Sequence, residues 1–412
     1  MTSVADIIPI LKNLWPQDRV INEVYPDHPF LARVPKMEEF GAEDIRLAVR
    51  IGDPQGRGIT VASAQARDTS SAFRRFVLTR SRNYQIFRIE AEAIEASRGD
   101  VNALVSILDD DMRGAINNIS KDLAVNLFRG RSGVLGSIGA IAAGPPATIT
   151  LSNAADVTSF EVGMVLVAAT GVTAANRSTP ATATITRVDR STGVLTFADG
   201  TFAGTNWAAN DFLYVQGDKQ DGANASAVGN KALGLADWLP FNNPTVGENF
   251  LSVDRSVDRV RLAGLPVDIS ADIPEEGALR VIMELDRQGA RPRDFITNHT
   301  DYQSVLNSLG TKAVTKYEGA GQIGFQTIQI MGPKGPVSMY LDQDCPAGTG
   351  YCLDMSKWKL YSLGPAPKLL NLDGLDILRL TDADTYEGRF GYYANLGTTA
   401  PGFNAVVRMP SS

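Results

Sequence analysis

Few residues in this sequence are suited to catalysis. The two histidines, His28 and His299, are far apart, and no Gly-X-Ser-X-Gly nucleophile elbow accompanies either of them. Cys345 and Cys352 lack the spacing of a metal-binding pair, so free thiols in a reducing compartment are expected. His299, which follows a predicted strand, is the one candidate for a catalytic base, but no motif supplies a nucleophile for it.

Three other groups suggest ligand binding, but each has a simpler explanation. Gly52, Gly56 and Gly58 resemble part of a phosphate loop, yet no Lys-Ser/Thr pair follows, and the tip of a hairpin explains them better. Residues 382–388 begin like a calcium loop, then place tyrosine fifth and glycine one position late. The three aspartates at 109–111 fan apart on a helix, which is typical of a solvated face. We therefore predict no catalytic residue, no cofactor, no metal and no enzyme activity.

The charge of residues 41–90 is unusual. Nine arginines face five acidic residues there, so this region carries 9 − 5 = +4, and the rest of the chain carries −7 − 4 = −11. Residues 45–51 alternate between apolar and polar side chains, which predicts a strand with one apolar face. Residues 52–58 form a turn, and 59–65 and 73–90 continue as extended chain. The pattern predicts a long hairpin with a polar tip.

The arginines of this hairpin are candidates for contacts between subunits. A positive hairpin on an acidic body is expected where the hairpin reaches the acidic surface of a like subunit. Arginine in place of lysine favours bidentate contacts. The alternative is a solvated hairpin whose charges serve solubility. The candidate contact residues are Arg46, Arg50, Arg57, Arg74, Arg75, Arg80, Arg82 and, in the preceding segment, Trp15.

A long helix is predicted from Asp100 to Phe128, because apolar residues recur there at spacings of three and four. Asp100 is the predicted N-cap, Asp109 pairs with Arg113, and Gly130 ends the helix. At 1.5 Å per residue it reaches roughly 40 Å. We predict a strut with sheet or helix on one side, and an ordinary long core helix is the alternative.

The remaining segments differ in character. Residues 1–40 carry apolar side chains and five prolines, which predicts an arm that either crosses its own chain or lies on a neighbour. Residues 145–217 are short Val/Ile/Thr runs, typical of a small barrel or sandwich. Amphipathic helices are predicted at 248–262 and at 276–289, the second with a buried side formed by Leu279, Ile282, Met283 and Leu285.

The C-terminal part combines strands with one more helix. A short helix is expected at 301–309, followed by mostly extended chain from 374 to 408. Strands are predicted at 295–297, 324–331, 336–341, 351–354 and 359–363.

Composition limits the class of protein. With 412 residues, 44% hydrophobic and 21% charged, the chain is a folded protein of two or three domains. Its net charge of −7 argues against a general nucleic-acid binder. No apolar run approaches the ~20 residues of a membrane helix. Residues 1–15 lack a basic leader, so a secretion signal is not expected.

The order of arm, arginine-bearing hairpin, strut helix and α/β body resembles the major capsid proteins of tailed phages, whose fold is named for phage Hong Kong 97. The similarity covers essentially the whole chain except 145–217, and its specificity comes from the order of several short strings. These strings are Phe30–Lys36, Gly52–Arg57, Tyr84 with Ile89–Ser97, and Ala400–Ala405.

The resemblance implies an α+β capsid fold with an all-β insertion domain. The segments it implies are an N-terminal arm (1–40), an extended loop over an adjacent subunit (41–92), a peripheral domain with the spine helix (93–144, completed by about 370–400), the all-β insertion domain (145–220), an axial domain around the five- and sixfold axes (221–369), and a return to the peripheral domain and C-terminus (370–412).

The function implied is self-assembly into the pentamers and hexamers of an icosahedral head that encloses double-stranded DNA. The chain would be a virion protein assembled in the host cytoplasm. Its implied partners are copies of itself, a portal, DNA contacted non-specifically and no membrane. Because the arm starts at the first residues, a separate scaffolding protein or a cleaved precursor is also implied. Since no lysine lies between Lys36 and Lys121, a lysine isopeptide crosslink from the hairpin has no nucleophile.

Three alternatives remain open. An encapsulin nanocompartment has the same fold and would hold an enzyme cargo in place of DNA. An uncharacterised enzyme with a β insertion is disfavoured by the scarcity of histidine and the absence of a motif. Another virion component, such as a tail or decoration protein, is disfavoured by the order of arm, hairpin and helix.

Overall fold

The computed structural model describes residues 28–90, 101–172, 174–219, 231–247, 249–309, 315–317, 326–371, 377–380 and 384–410. The α-helices of this part are α1 (Pro29–Arg33), α2 (Val61–Gln65), α3 (Val101–Arg129), α4 (Leu235–Trp238), α5 (Arg259–Ala263), α6 (Pro274–Arg287) and α7 (His299–Leu309).

The strands of the N-terminal half are β1 (Lys36–Met37), β2 (Asp44–Gly52), β3 (Ala72–Thr79), β4 (Ser81–Glu90), β5 (Gly136–Ala142), β6 (Ala147–Leu151), β7 (Val165–Ala169), β8 (Ala183–Asp189), β9 (Val194–Phe197) and β10 (Phe212–Val215). Those of the C-terminal half are β11 (Asn249–Phe250), β12 (Val253–Asp254), β13 (Leu265–Asp268), β14 (Asp294–Thr297), β15 (Thr315–Tyr317), β16 (Gln326–Gly332), β17 (Gly335–Leu341), β18 (Thr349–Leu353), β19 (Trp358–Ser362), β20 (Lys368–Leu369), β21 (Leu378–Arg379), β22 (Thr385–Thr398) and β23 (Ala405–Arg408).

A six-stranded sheet is built around the long strand β22. Its order is β1-β19-β22-β20, and β4 and β21 also pair with β22. β4 runs antiparallel to β22 from the pair Glu90–Thr385 to the pair Ser81–Ala394. Helix α3 packs against β4 and β22, so the sheet supports the helix along one side.

Helix α3 confirms the predicted long helix. Contact on one side only is not confirmed, since all six residues from Leu123 to Phe128 are buried, as in an ordinary core helix. The buried residues of its described part include Met112, Ile116, Ile119, Leu123 and Leu127. The helix ends at Gly130, whose φ of +81° favours glycine. The predicted N-cap Asp100 and the side chain of Asp109 lie outside the described residues.

A seven-stranded mixed sheet forms the second layer. Its order is β13-β23-β18-β14-β17-β16-β15, with α6 and α7 packed against it. The predicted strands of this region and the hairpin β16–β17 are confirmed. The burial predicted for Leu279 and Met283 is wrong, since they are 41% and 53% exposed. The helix α6 contacts the body through the side that carries Gly277, where an added Cβ would lie 2.9 Å from Ile269.

The helix predicted at 248–262 is also wrong. This segment forms the short pair β11–β12, a 3₁₀ turn and then α5. Leu251 and Ser252 adopt positive φ angles of 49° and 71°, which place a tight turn between the two strands. Phe250 and Val253 are both buried, and their spacing of three imitates a helical pattern.

The β-rich region is a closed barrel with strand order β10-β5-β6-β9-β8-β7. It begins at Gly136, before the predicted start at 145, because β5 pairs with both β6 and β10. Short apolar runs on six strands fill the interior, which has its own hydrophobic core.

Residues 41–90 do not form one long hairpin. β2 and β3 pair as a two-stranded hairpin, whereas β4 joins the six-stranded sheet. Residues 61–65, predicted as extended chain, form helix α2, in which Thr60 and Ser63 make reciprocal capping hydrogen bonds. The change of sheet falls at Arg80, between β3 and β4.

Candidate inter-subunit surface

The base of the β2–β3 hairpin is held to the body by aromatic packing. The ring of Phe76 lies 5.1 Å from that of Trp238 and 6.1 Å from that of Phe250, both edge-on. The backbone N–H of Val77 donates to the carbonyl of Leu251 at 3.1 Å. Arg261 donates through Nη1 to the carbonyl of Ile51. These contacts position the strands of the hairpin relative to the chain's own core.

The outward face of the hairpin collects three arginines. Residues directly opposite one another on antiparallel strands share a face, and the register pairs Arg46 with Val77, Ala48 with Arg75 and Arg50 with Phe73. Arg46, Arg50 and Arg75 therefore lie on one side, as the alternation in the sequence predicts.

These arginines make only weak contacts within the chain. Arg46 Nε lies 3.5 Å from Asp44 Oδ2, and Arg50 Nη2 lies 2.7 Å from Asp53 Oδ1. The four side chains are between 34% and 67% exposed. Exposed pairs of this kind contribute about 0–1 kcal/mol, so the guanidinium groups remain available to a partner.

The other candidate arginines are dispersed. Arg57 is exposed beyond the end of β2, and Arg74 lies opposite Val49, on the other face of the hairpin. Arg80 donates to the carbonyl of Phe40 at 2.7 Å and lies over its ring. Arg82 is exposed on β4, in the six-stranded sheet. Trp15 lies outside the described residues.

The tip of the hairpin exposes apolar side chains that the sequence reasoning did not single out. Ile59 is fully exposed, Val61 is 74% exposed and Phe73 is 54% exposed. Helix α2, which carries Val61, has no buried residue in the described structure. The signal available in the sequence was the pair of β-branched apolar residues, Ile59 and Val61, in the tip of the hairpin. The hairpin thus combines positive charge with apolar groups that lack cover from the described chain.

Residues 28–40, which we call the strap, cross the body of their own chain. Phe30 and Leu31 are each 1% exposed. Lys36 and Met37 pair in parallel with β19. For this part of the predicted arm, the alternative of a segment lying across its own chain is therefore the correct one, and residues 1–27 lie outside the described part.

The strap is seated on a buried acidic turn. His28 Nδ1 donates to Asp344 Oδ2 at 2.6 Å, and the N–H of Phe30 donates to Asp342 Oδ2 at 2.9 Å. Burial, reinforced by the nearby Asp344 carboxylate, raises the pKa of Asp342 to about 7. The hydrogen bond to Asp344 gives His28 a structural role. Sequence reasoning missed it because the partners lie more than 300 positions away.

The structure offers little support for catalysis or metal binding. His299 is the first residue of α7, and the described residues contain no cluster of His, Cys, Asp or Glu suited to a metal ion. Cys345 and Cys352 are free and buried, and burial raises the pKa of both thiols well above the usual range. The calcium-like stretch 382–388 begins outside the described residues. None of the helices in the described part of the chain is long and apolar enough to cross a membrane.

Comparison with solved structures places the fold. A chain of the cyanophage A-1(L) capsid asymmetric unit superposes with a TM-score of 0.51 at 13% identity, covering 95% of both chains. The chain shares the fold of that phage capsid chain. The resemblance drawn from the sequence is thereby confirmed at the level of fold.

Two further structures are similar over nearly the full length. A capsid chain of a native GTA particle gives a TM-score of 0.45 at 8% identity, covering 94% of this chain and 91% of that one. A chain from Mycobacterium phage Ogopogo gives 0.41 at 11% identity, covering 93% and 92%. No protein-family model matches the sequence, and no curated protein matches it significantly.

Proposed function

We propose that this chain is the major capsid protein of a tailed phage, which assembles into pentamers and hexamers of an icosahedral head around double-stranded DNA. The observation that carries the proposal is the hairpin, whose exposed face carries three arginines and whose apolar tip is uncovered by the described chain. The shared fold with a cyanophage capsid chain over 95% of both chains supports it. In this proposal the chain is located in the virion.

In this proposal each structural unit of the chain has a role in the shell. The hairpin lies over an adjacent subunit, α3 and the six-stranded sheet form the peripheral domain, and the seven-stranded sheet with α6 and α7 forms the axial domain. The barrel projects from the shell and contacts neighbouring barrels, which stabilises the capsomers. A scaffolding protein and a portal are further predicted partners.

The hairpin tip gives the sharpest test of the proposal. Ile59→Asp with Val61→Asp should leave the monomer folded, because both side chains are exposed, and should abolish fast-sedimenting assemblies. Val246→Asp, at a valine outside the hairpin that is 84% exposed, is the control and should assemble. Normal shells from the double variant would contradict the role of the tip. Enzyme cargo in place of DNA inside native shells would favour the encapsulin alternative.

A further inference from the structure

A pocket of about 560 Å³ opens at the base of the hairpin, where five parts of the chain meet. One wall comes from the junction of β3 and β4 and another from the residue after Gly130, which ends α3. The rest comes from the segment after β10, from the turn between β11 and β12, and from β22. Its floor is recessed, because Ser81, Lys231 and Asn395 are all less than 10% exposed. Two of its lining residues, Arg80 and Arg82, are among the candidate contacts between subunits.

Every charged residue among the described residues that line the pocket is cationic: Arg80, Arg82, Arg131 and Lys231. The ammonium of Lys231 is already paired with two acids. Lys231 Nζ lies 2.5 Å from Asp122 Oδ1 and 2.9 Å from Asp218 Oδ2, and these two acids line an adjoining cavity beside α3 that Lys231 also lines. These acids offset the charge of the buried ammonium, so the remaining positive charge of the pocket comes from its arginines.

One of the guanidinium groups has an unpartnered donor. Arg131 Nε is buried and has no hydrogen-bond partner in the described structure, and its nearest acid oxygen, on Asp237, is 3.9 Å away. Arg80 commits Nη1 to the carbonyl of Phe40. Arg82 is exposed at the rim. Guanidinium groups that line one pocket suit the planar, bidentate geometry of an oxyanion.

We propose that this pocket binds an oxyanion, and that in the shell the oxyanion is an acidic side chain of a neighbouring copy. The second part rests on the proposed capsid function. A neighbouring copy is rich in carboxylates, because the chain outside residues 41–90 carries a net charge of −11. A single side chain reaches the recessed floor, whereas the phosphates of a DNA duplex are held on a wide rod at the surface. A carboxylate from the same class of subunit is therefore favoured over nucleic acid.

Inorganic phosphate is the probe for the pocket itself. Thermal unfolding of the full chain in potassium phosphate and in potassium chloride, at matched ionic strength, should show phosphate-specific stabilisation. Arg82→Gln should weaken phosphate binding about tenfold, the usual effect of losing one charged hydrogen-bond donor. Arg187→Gln, at an exposed arginine of the barrel strand β8, is the matched control and should change nothing. A phosphate effect that Arg82→Gln leaves intact would show an adventitious ion only and overturn the proposal.

Assembly identifies the occupant. Arg82→Glu should reduce the fast-sedimenting fraction at least about tenfold, whereas Arg187→Glu should not. If Arg82→Glu assembles as well as the wild type, the occupant is not a carboxylate of a neighbouring copy. The proposed capsid function is not contradicted by that result. Normal shells of Arg82→Glu that contain less DNA than wild-type shells would identify nucleic acid as the ligand. That result would also overturn the carboxylate of a neighbouring copy as the occupant. If the wild type does not assemble, the capsid function fails, and the phosphate experiment still decides whether the pocket binds oxyanions.

Discussion

The ring centroids of Phe30 and Phe128 lie 5.1 Å apart, which joins the strap to the last turns of the long helix α3. Phe128 also lies 6.0 Å from Tyr351 of the seven-stranded sheet. One aromatic chain thus connects the strap, the helix and the second layer. The strap is therefore part of the core, although its sequence predicts a proline-rich arm.

Phe30→Ala tests this connection. Phe30 is 1% exposed, so removing its ring should lower the free energy of unfolding by about 3–5 kcal/mol. Urea denaturation measures the change. Phe73→Ala, the same substitution at a 54% exposed ring of the hairpin, should shift stability by less than about 0.5 kcal/mol. Equal losses in the two variants would contradict the role of the strap.

The barrel is fixed to helix α3 by two ion pairs of different burial. Arg129 Nη2 lies 2.6 Å from Asp156 Oδ1, with side chains only 12% and 13% exposed. Asp156→Ala should cost about 3–5 kcal/mol, because it leaves a largely buried guanidinium without its partner. Glu161→Ala removes the exposed partner of both Lys121 (2.6 Å) and Arg190 (2.7 Å), and should cost about 0–1 kcal/mol for each pair. Denaturation curves that reverse this order would refute the assignment.

The seat of the strap should make stability depend on pH. In the seat, burial raises the pKa of Asp342 from 3.8 to about 7, and outside the seat, in α7, burial raises the pKa of Asp301 from 3.8 to about 6. Each raised pKa contributes stability that is complete below the unfolded value and is lost as pH rises through the folded value. The free energy of unfolding from these groups should therefore fall between about pH 4 and pH 7.

Asp342→Asn isolates this effect. Because asparagine does not titrate, the stability of the wild type relative to the variant should decrease steadily from pH 4.5 to pH 7.5. Urea denaturation at several pH values within this window measures the difference. A difference that stays constant, or that grows with pH, would show that Asp342 does not titrate as its burial implies.

The hairpin should not form covalent links between subunits. The sequence has no lysine between Lys36 and Lys121, so β2, β3 and β4 present arginines and no amine nucleophile. Mature particles boiled in detergent should therefore migrate as single chains on a denaturing gel. A ladder of covalent multimers would show that another residue supplies the crosslink.

The sequence predicted the elements whose patterns are set locally. Helix α3 follows from its apolar spacing and Gly130, and β2 follows from its strict alternation. Failures occurred where tertiary packing decides. The pattern at 248–262 looks helical, yet Leu251 and Ser252 turn the chain so that Phe250 reaches Trp238 at 5.2 Å.

The candidate surface was predicted only in part. Alternation placed Arg46 and Arg50 on one face, but it did not show that Arg80 is engaged with Phe40 of the strap. Apolar side chains alone do not reveal which side of α6 faces the sheet. The sequence therefore predicted burial of Leu279 and Met283, which are exposed in the structure. Long-range pairs such as His28 with Asp344 leave no local signal in the chain.

The most direct test of the capsid function is sedimentation of the expressed 44.2 kDa chain, alone and with the products of its neighbouring genes, followed by electron microscopy of the fast fraction. We predict regular icosahedral shells built from pentamers and hexamers. A strictly monomeric chain under every one of these conditions would contradict the account.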